Sequence, residues 1–97
     1  MSVAHQKRRV TVHDPVEGDV SPNDVRAYLL ATGWTLKHGL FEQVAGDTTR
    51  HIRCPLDDET AREIAVLICD IASITQRTPG EVLRSVEALA RAEGRCP

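Results

Sequence analysis

The spacing of hydrophobic residues along the chain changes at Pro55. Before it, the stretch that begins at Trp34 is divided by Gly39 and Gly46 into short runs in which apolar and polar residues alternate. After it, isoleucine and leucine recur at helical spacing, at positions Ile64, Leu67, Ile68, Ile71 and Ile74. A change of period from two to 3.6 predicts a small sheet followed by a helix that faces the core.

A first helix is predicted ahead of the sheet, from Pro22 to about Thr32. Ser21 is placed to cap it, and the fixed φ of proline suits the first helical position. Gly33 can take the left-handed conformation that ends a helix. The punctuation at both ends therefore defines this element.

Three strands are predicted next, beginning at Trp34 and continuing over residues 40–44 and 49–54. The dipeptides at 38–39 and 46–47 each contain a glycine, which accepts the positive φ of a tight turn. Pro55 cannot donate a hydrogen bond to a neighbouring strand, so it ends the third strand. An antiparallel meander is the expected result.

Two helices are predicted to complete the chain. The first is expected to begin at a cap formed by Asp57 or Asp58 and to run to about Gln76. The second begins with a capping box, in which Thr78 is the cap and Pro79 the first helical residue, and it continues to Gly94.

The predicted fold class is α+β, with a helix, a three-stranded antiparallel meander and two C-terminal helices packed on one sheet face. Residues 21–94 form a single α-β-β-β-α-α domain. Residues 1–20 are rich in turn and linker residues and are expected to form a flexible N-terminal arm, with at most one short edge strand over residues 9–13.

Large apolar residues of the meander are candidate interface residues. Leu40 and Phe41 are adjacent, so their side chains point to opposite faces of the sheet, and both cannot enter the same core. One large side chain is therefore expected to face outward, where the third helix or a partner chain covers it, or where it forms a small exposed patch typical of an interface. The candidates are Trp34, Leu40 and Phe41.

Composition excludes several classes of protein. The 97 residues suffice for one domain, and no apolar run reaches the roughly 18 residues of a membrane span. The N-terminus lacks the apolar stretch of a signal peptide, which predicts a cytoplasmic protein. The three cysteines, Cys54, Cys69 and Cys96, are too widely spaced for a disulfide framework or a zinc site, so neither a metal nor a cofactor is expected.

The net charge of −2 does not favour nucleic acid as a partner. Binding of RNA or DNA, the first alternative function, would depend on a local set of cations: Lys7, Arg8, Arg9, Arg50 and Arg53. The second alternative is a nuclease that uses His38 or His51 as a general acid or base. No motif of a hydrolase or nucleotide-binding protein is present, so no catalytic residue is assigned and no enzymatic activity is expected.

Three short segments accompany the predicted order of elements: Gly33-Trp34, Lys37-His38-Gly39 and Ile52-Arg53-Cys54-Pro55. Together they resemble the double-stranded-RNA-binding domain and the HicA-type mRNA interferase toxins that share its fold. The resemblance implies that fold, together with RNA binding or cleavage. In the toxins the turn glycine is followed by Ser and a catalytic His, whereas here Leu40 and Phe41 follow Gly39. In the RNA-binding domains the second helix begins with lysines, whereas here it begins with acidic residues.

These observations together predict a small cytoplasmic, non-enzymatic interaction module that docks to a protein partner or self-associates. The chain is also similar to small uncharacterised bacterial proteins. An accessory, immunity-like or phage-related regulator fits this description, and the sequence does not choose among the three.

Overall fold

The computed structural model describes residues 6–12 and 16–94 of the chain. Within these residues, three helices and five strands follow one another in this order: β1 (Arg8–Val12), β2 (Val16–Val20), α1 (Pro22–Ala31), β3 (Thr35–Lys37), β4 (Leu40–Ala45), β5 (Thr48–Arg53), α2 (Ala61–Thr75) and α3 (Pro79–Ala92). The strands form two antiparallel sheets, β1-β2 and β3-β4-β5. The predicted α+β class is confirmed.

The turn between β3 and β4 shows why the meander forms where the sequence predicts it. His38 and Gly39 have φ angles of 51° and 80°, so both lie in the left-handed region. Two consecutive residues with positive φ match the twist of the flanking strands and close a two-residue hairpin. The register that follows pairs Lys37 with Leu40 and Leu36 with Phe41.

The N-terminal hairpin corrects the prediction of a flexible arm over residues 1–20. Within the described part of that stretch, β1 pairs with β2 along its whole length. Val10, Val12 and Val20 are buried in the main core. The alternation of valine with polar residues is the period of a strand with one buried face, and burying three valines stabilises the hairpin against the helices. The folded domain therefore includes this hairpin.

Packing of the helices also differs from the expectation that both cover the meander. Helix α2 lies against β1 and also contacts β5, while α3 packs on β2 and α1 packs on α3. The two C-terminal helices therefore cover mainly the face of the hairpin. Ile68 and Ile71 of α2 are fully buried where these elements meet.

Helix α2 begins later than predicted, because neither Asp57 nor Asp58 is its N-cap. Its N-cap is Thr60, whose hydroxyl accepts from the Glu63 N–H at 3.2 Å, while the Thr60 N–H donates to the Glu63 carboxylate at 3.0 Å. This reciprocal pair gives acceptors to two backbone N–H groups at the start of the helix, whereas a lone aspartate cap serves only one. Asp57 instead accepts from Arg26 at 2.6 Å.

The predicted cap of α3 is confirmed. The Glu81 N–H donates to the Thr78 hydroxyl at 3.2 Å, and the Thr78 N–H donates to the Glu81 carboxylate at 3.1 Å. Donation from the Thr78 N–H, and from its hydroxyl at 3.0 Å, lowers the pKa of Glu81 from its ordinary value.

We expect Thr78→Ala to lower the free energy of unfolding by about 1 kcal/mol, because it removes the acceptor for the Glu81 N–H. Chemical denaturation of the wild type and the variant measures the difference. Thr49→Ala is the control, since Thr49 is an exposed residue of β5. Equal midpoints for all three proteins would contradict a stabilising cap.

Candidate functional site

The outer face of the meander carries a row of ionisable side chains. Lys37, Glu42 and His51 lie on three adjacent strands, and Glu42 pairs with His51 across β4 and β5. The Lys37 ammonium lies 3.1 Å from the Glu42 carboxylate, and His51 Nε2 lies 3.5 Å from its other oxygen. The hydrogen bond and charge of Lys37 hold the pKa of Glu42 below its ordinary value, so Glu42 is ionised at neutral pH.

Both histidines singled out from the sequence line one cavity on this face. Its volume is about 220 Å³, and Lys37, His38, Leu40, Glu42 and His51 surround it. A carboxylate beside an imidazole can fix the tautomer of that ring, which proton-transfer chemistry requires. Here the same carboxylate is also paired with Lys37, so the row has the charge pattern of a solvated antiparallel face.

Two of the three candidate interface residues lie in the core, which corrects their assignment to an interface, and the third is the outward-facing side chain that was expected. Trp34 and Phe41 are buried, and Leu40 is 44% exposed. Phe41 sits opposite Ile52 on the inner face of the sheet, where burial of an aromatic ring is most favourable. The expectation that Leu40 and Phe41 face opposite ways is confirmed, and Leu40 is the one that faces outward.

The cations proposed for nucleic acid are bonded to different parts of the chain. Lys7 forms an ion pair with Asp24 of α1, and the Arg8 guanidinium donates to the Asp57 carbonyl at 3.1 Å. Arg9 lies 3.2 and 3.3 Å from two carboxylates of β2, those of Glu17 and Asp19. Lys7 and Arg9 are therefore paired with acidic groups of the same domain, and Arg8 is bonded to a backbone carbonyl of it.

The two arginines of β5 lie on opposite faces of the strand, because they are three residues apart. Arg50 donates to the Ile74 carbonyl at 2.9 Å and lies over the Trp34 ring, 5.8 Å from its centroid. Arg53 lies 2.7 Å from the carboxylate of Glu59, which is only 2% exposed. These contacts divide the five cations between separate surfaces.

Strand β1 has one edge without a partner strand among the described residues. The Asp19 N–H donates to the Glu87 carboxylate at 3.2 Å, so it points away from β1. Hydrogen-bonded and non-hydrogen-bonded pairs alternate along an antiparallel ladder. Asp19 faces Arg9 in the register, and Glu17 faces Thr11 two residues along, so both are non-hydrogen-bonded pairs. The N–H and C=O groups of Arg9 and Thr11 therefore point outward at the open edge of β1.

A groove runs along this open edge and is bounded on its other side by α2. One cavity of about 400 Å³ lies between Thr11, Val12 and the α2 residues from 62 to 70. A second cavity of about 270 Å³ lies between Arg9, Thr11 and the start of α2. Both are lined by Thr11, Arg62 and Ala65, so they form one continuous groove. We call this feature the β1–α2 groove.

The side chains of α2 make the groove shallow and largely apolar. Ala61, Ala65 and Cys69 line it with small side chains, and Val66 is 53% exposed beside them. Three charged residues line it: Arg9, which is paired with Glu17 and Asp19, and the two α2 residues Arg62 and Asp70, which stand near its ends. Within the described residues neither Arg62 nor Asp70 forms an ion pair.

The edge of β2 that does not pair with β1 is covered by α3. The carboxylate of Glu87 accepts from the Asp19 N–H, and it lies so near Gly18 that a Cβ there would come within 2.6 Å of it. Side-chain coverage of this kind blocks the addition of another strand. The two edges of the hairpin are therefore unlike, and the one on β1 is accessible.

Sequence reasoning missed the β1–α2 groove because it assigned residues 1–20 to an arm. Two signals could have found it. The valines of the hairpin alternate with polar residues, and on α2 an alanine and cysteine stripe, Ala61, Ala65 and Cys69, runs beside the larger core residues. A stripe of small side chains on a helix permits close approach of another backbone, but it does not by itself show which backbone comes near.

Comparisons with known proteins add no relative: no family model, curated protein or solved structure matches the chain. Within residues 6–12 and 16–94, no group of three or more His, Cys, Asp or Glu side chains is placed to hold a metal ion. Among the same residues, no helix has both the length and the apolar character needed to cross a membrane.

Proposed function

We propose that this chain is a small, non-enzymatic protein-interaction module of the cytoplasm, and that it docks a protein partner in the β1–α2 groove. The observation that carries this proposal is the open edge of β1 beside an apolar helix flank. Unpaired backbone groups at a strand edge are a template for pairing with another chain. The nearby apolar side chains add contact area that a partner can bury.

The meander face supports docking less well than the groove. Its row of Lys37, Glu42 and His51 is already paired across the strands, so a partner would have to displace those contacts. Separating such charges from water costs free energy that new contacts must offset. The groove presents groups that gain hydrogen bonds when a partner arrives.

The alternative of RNA or DNA binding is disfavoured by the charges. Each of the five candidate cations donates to, or is paired with, a group of this chain. Binding to phosphate depends on cations that are free to replace the counterions of nucleic acid. The proposed partner is therefore a protein.

The cytoplasmic location rests on the cysteines. Cys54 and Cys69 are both free thiols in the structure. Free thiols persist in a reducing compartment, whereas exported proteins commonly pair theirs.

Selection from a random peptide library tests the proposal. Nine-residue peptides displayed on phage are selected on the immobilised wild-type chain, on Val66→Lys and on Val44→Lys. Val66 lines the groove, and the control residue Val44 is 70% exposed on the meander. We expect the wild type and Val44→Lys to enrich the same peptides, and Val66→Lys to enrich them at least tenfold less, because a charge would stand in the apolar groove.

Three results would contradict the proposal. The absence of any enriched peptide would contradict the docking function. Equal enrichment on Val66→Lys and the wild type would show that peptides do not bind in the groove. Submicromolar binding of labelled RNA or DNA that is lost in Arg50→Ala/Arg53→Ala would favour the nucleic-acid alternative.

A further inference from the structure

We infer that the β1–α2 groove takes an extended peptide as a third strand of the hairpin sheet, antiparallel to β1, with the side-chain pattern base-x-apolar-x-acid from N- to C-terminus. This inference rests on the proposed function, because it names the chemistry of the partner that docks in the groove. It follows from the backbone groups, the length, the charges and the direction of the groove.

The backbone groups at the edge define where the guest strand pairs. Arg9 and Thr11 each present one N–H and one C=O outward, so the edge offers two donors and two acceptors. Val10 lies between them and uses its own groups toward β2, opposite Gly18. A guest strand would therefore form four main-chain hydrogen bonds, two at Arg9 and two at Thr11.

The two charges define the length of the guest. Arg62 and Asp70 are eight residues apart in α2, which corresponds to a rise of about 12 Å. Five residues of extended chain span about 13 Å between the first and the last. The first, third and fifth side chains of a strand point to the same face. A guest can therefore place opposite charges on Arg62 and Asp70 with its first and fifth residues, while its third faces the helix between them.

The third residue of the guest meets an apolar part of the groove. Ala65 and Cys69 lie between the charged ends, and half-exposed Val66 stands beside them. These small side chains leave room for a β-branched residue such as valine, which also favours the extended backbone. An uncharged, apolar third residue therefore fits this position.

The direction of the groove decides the order of the charges. Arg9 lies beside Ala61 and Arg62, while Val12 lies beside Cys69 and Asp70, so β1 and α2 run the same way. Antiparallel pairing is the more stable arrangement for a short strand. An antiparallel guest begins at the Asp70 end and finishes at the Arg62 end. Its basic residue therefore comes first and its acidic residue last.

A peptide titration followed by NMR tests the inference. The probe is acetyl-Ser-Lys-Thr-Val-Thr-Glu-Ser-amide, and the control is the same peptide with Lys and Glu exchanged. We expect the probe to bind the ¹⁵N-labelled wild-type chain about fivefold more tightly than the control, because only the probe forms two exposed charge pairs with Arg62 and Asp70 in the antiparallel arrangement. We also expect amide exchange at Arg9 and Thr11 to slow at least tenfold on binding, while Val10 is protected with and without peptide.

A charge exchange in the protein provides the matched variant. Arg62→Glu/Asp70→Lys keeps the net charge of the chain and alters two exposed helix positions. We expect this variant to prefer the control peptide over the probe, which reverses the order found for the wild type. Loss of the fold cannot produce such a reversal, because an unfolded chain would bind neither peptide selectively.

Several outcomes would overturn the inference. Equal affinity for both peptides would contradict the proposed charge pattern of the guest. Unchanged amide exchange at Arg9 and Thr11 would contradict strand addition. If phage-selected peptides bind through Val66 without protecting these two amides, the docking function stands and strand addition falls. Concentration-dependent dimers in sedimentation, with both amides protected in the absence of peptide, would identify a second copy of the chain as the occupant.

Discussion

Replacing Ile68 or Ile71 with alanine is expected to lower the free energy of unfolding by about 2–5 kcal/mol. Both side chains are fully buried on α2, the helix that packs against β1 and α3. Truncation to alanine removes apolar surface from the core and leaves a cavity that the close-packed neighbours fill only in part. The loss is a large share of the roughly 5–15 kcal/mol that stabilises a domain.

Denaturant titration of both variants measures the loss, and Val66→Ala on the same helix is the matched control. Val66 is half exposed, so its truncation is expected to change stability by less than about 1 kcal/mol. If Ile68→Ala and Ile71→Ala were as stable as Val66→Ala, the buried stripe of α2 would not be the centre of the core.

Deleting residues 1–20 is expected to abolish cooperative folding of the remaining chain. The hairpin buries Val10, Val12 and Val20 against the helices, and each buried valine contributes about 1.5–3 kcal/mol. Deletion also exposes the faces of α2 and α3 that the hairpin covers. The summed loss is comparable with the whole stability of a small domain. The circular dichroism signal of the shortened chain, recorded during heating, should change without a sigmoidal transition.

A pair of single substitutions tests the same point without shortening the chain. Val10→Asn is expected to cost about 3–5 kcal/mol, because it loses apolar burial and places an amide in the core. Thr11→Asn, one residue along on the exposed face, is expected to cost less than about 1 kcal/mol. Two results together would contradict a structural role for residues 1–20: cooperative unfolding of the shortened chain, and equal stability of these two variants.

Local signals determined the helices and the meander. Ser21 and Thr78 begin α1 and α3 because their hydroxyls accept backbone N–H groups within a few residues of themselves. The turn at His38 and Gly39 is equally local, since positive φ is a property of the turn residues. Such interactions involve neighbours in sequence, and so the sequence pattern was sufficient to predict them.

The hairpin was not predictable in this way, although its residues alternate. Its two strands are short, and two-stranded hairpins are marginal in water without another surface to cover them. The surface that stabilises β1 belongs to α2, about fifty residues later in the chain. Asp14 and Pro15, which lie outside the described part of the structure, are residue types common to turns and to linkers, so the sequence there does not distinguish the two.

The sequence by itself determined the class of the fold, most helix boundaries and the opposite orientations of Leu40 and Phe41. Tertiary structure alone decided which sheet the helices cover, which cations are neutralised, and which strand edge is open. The physical reason is that capping, turn formation and side-chain alternation depend on near neighbours. Burial, ion pairing and edge accessibility depend on residues far apart in sequence, such as Asp19 with Glu87 and Thr11 with Ala65. The candidate site belongs to the second group.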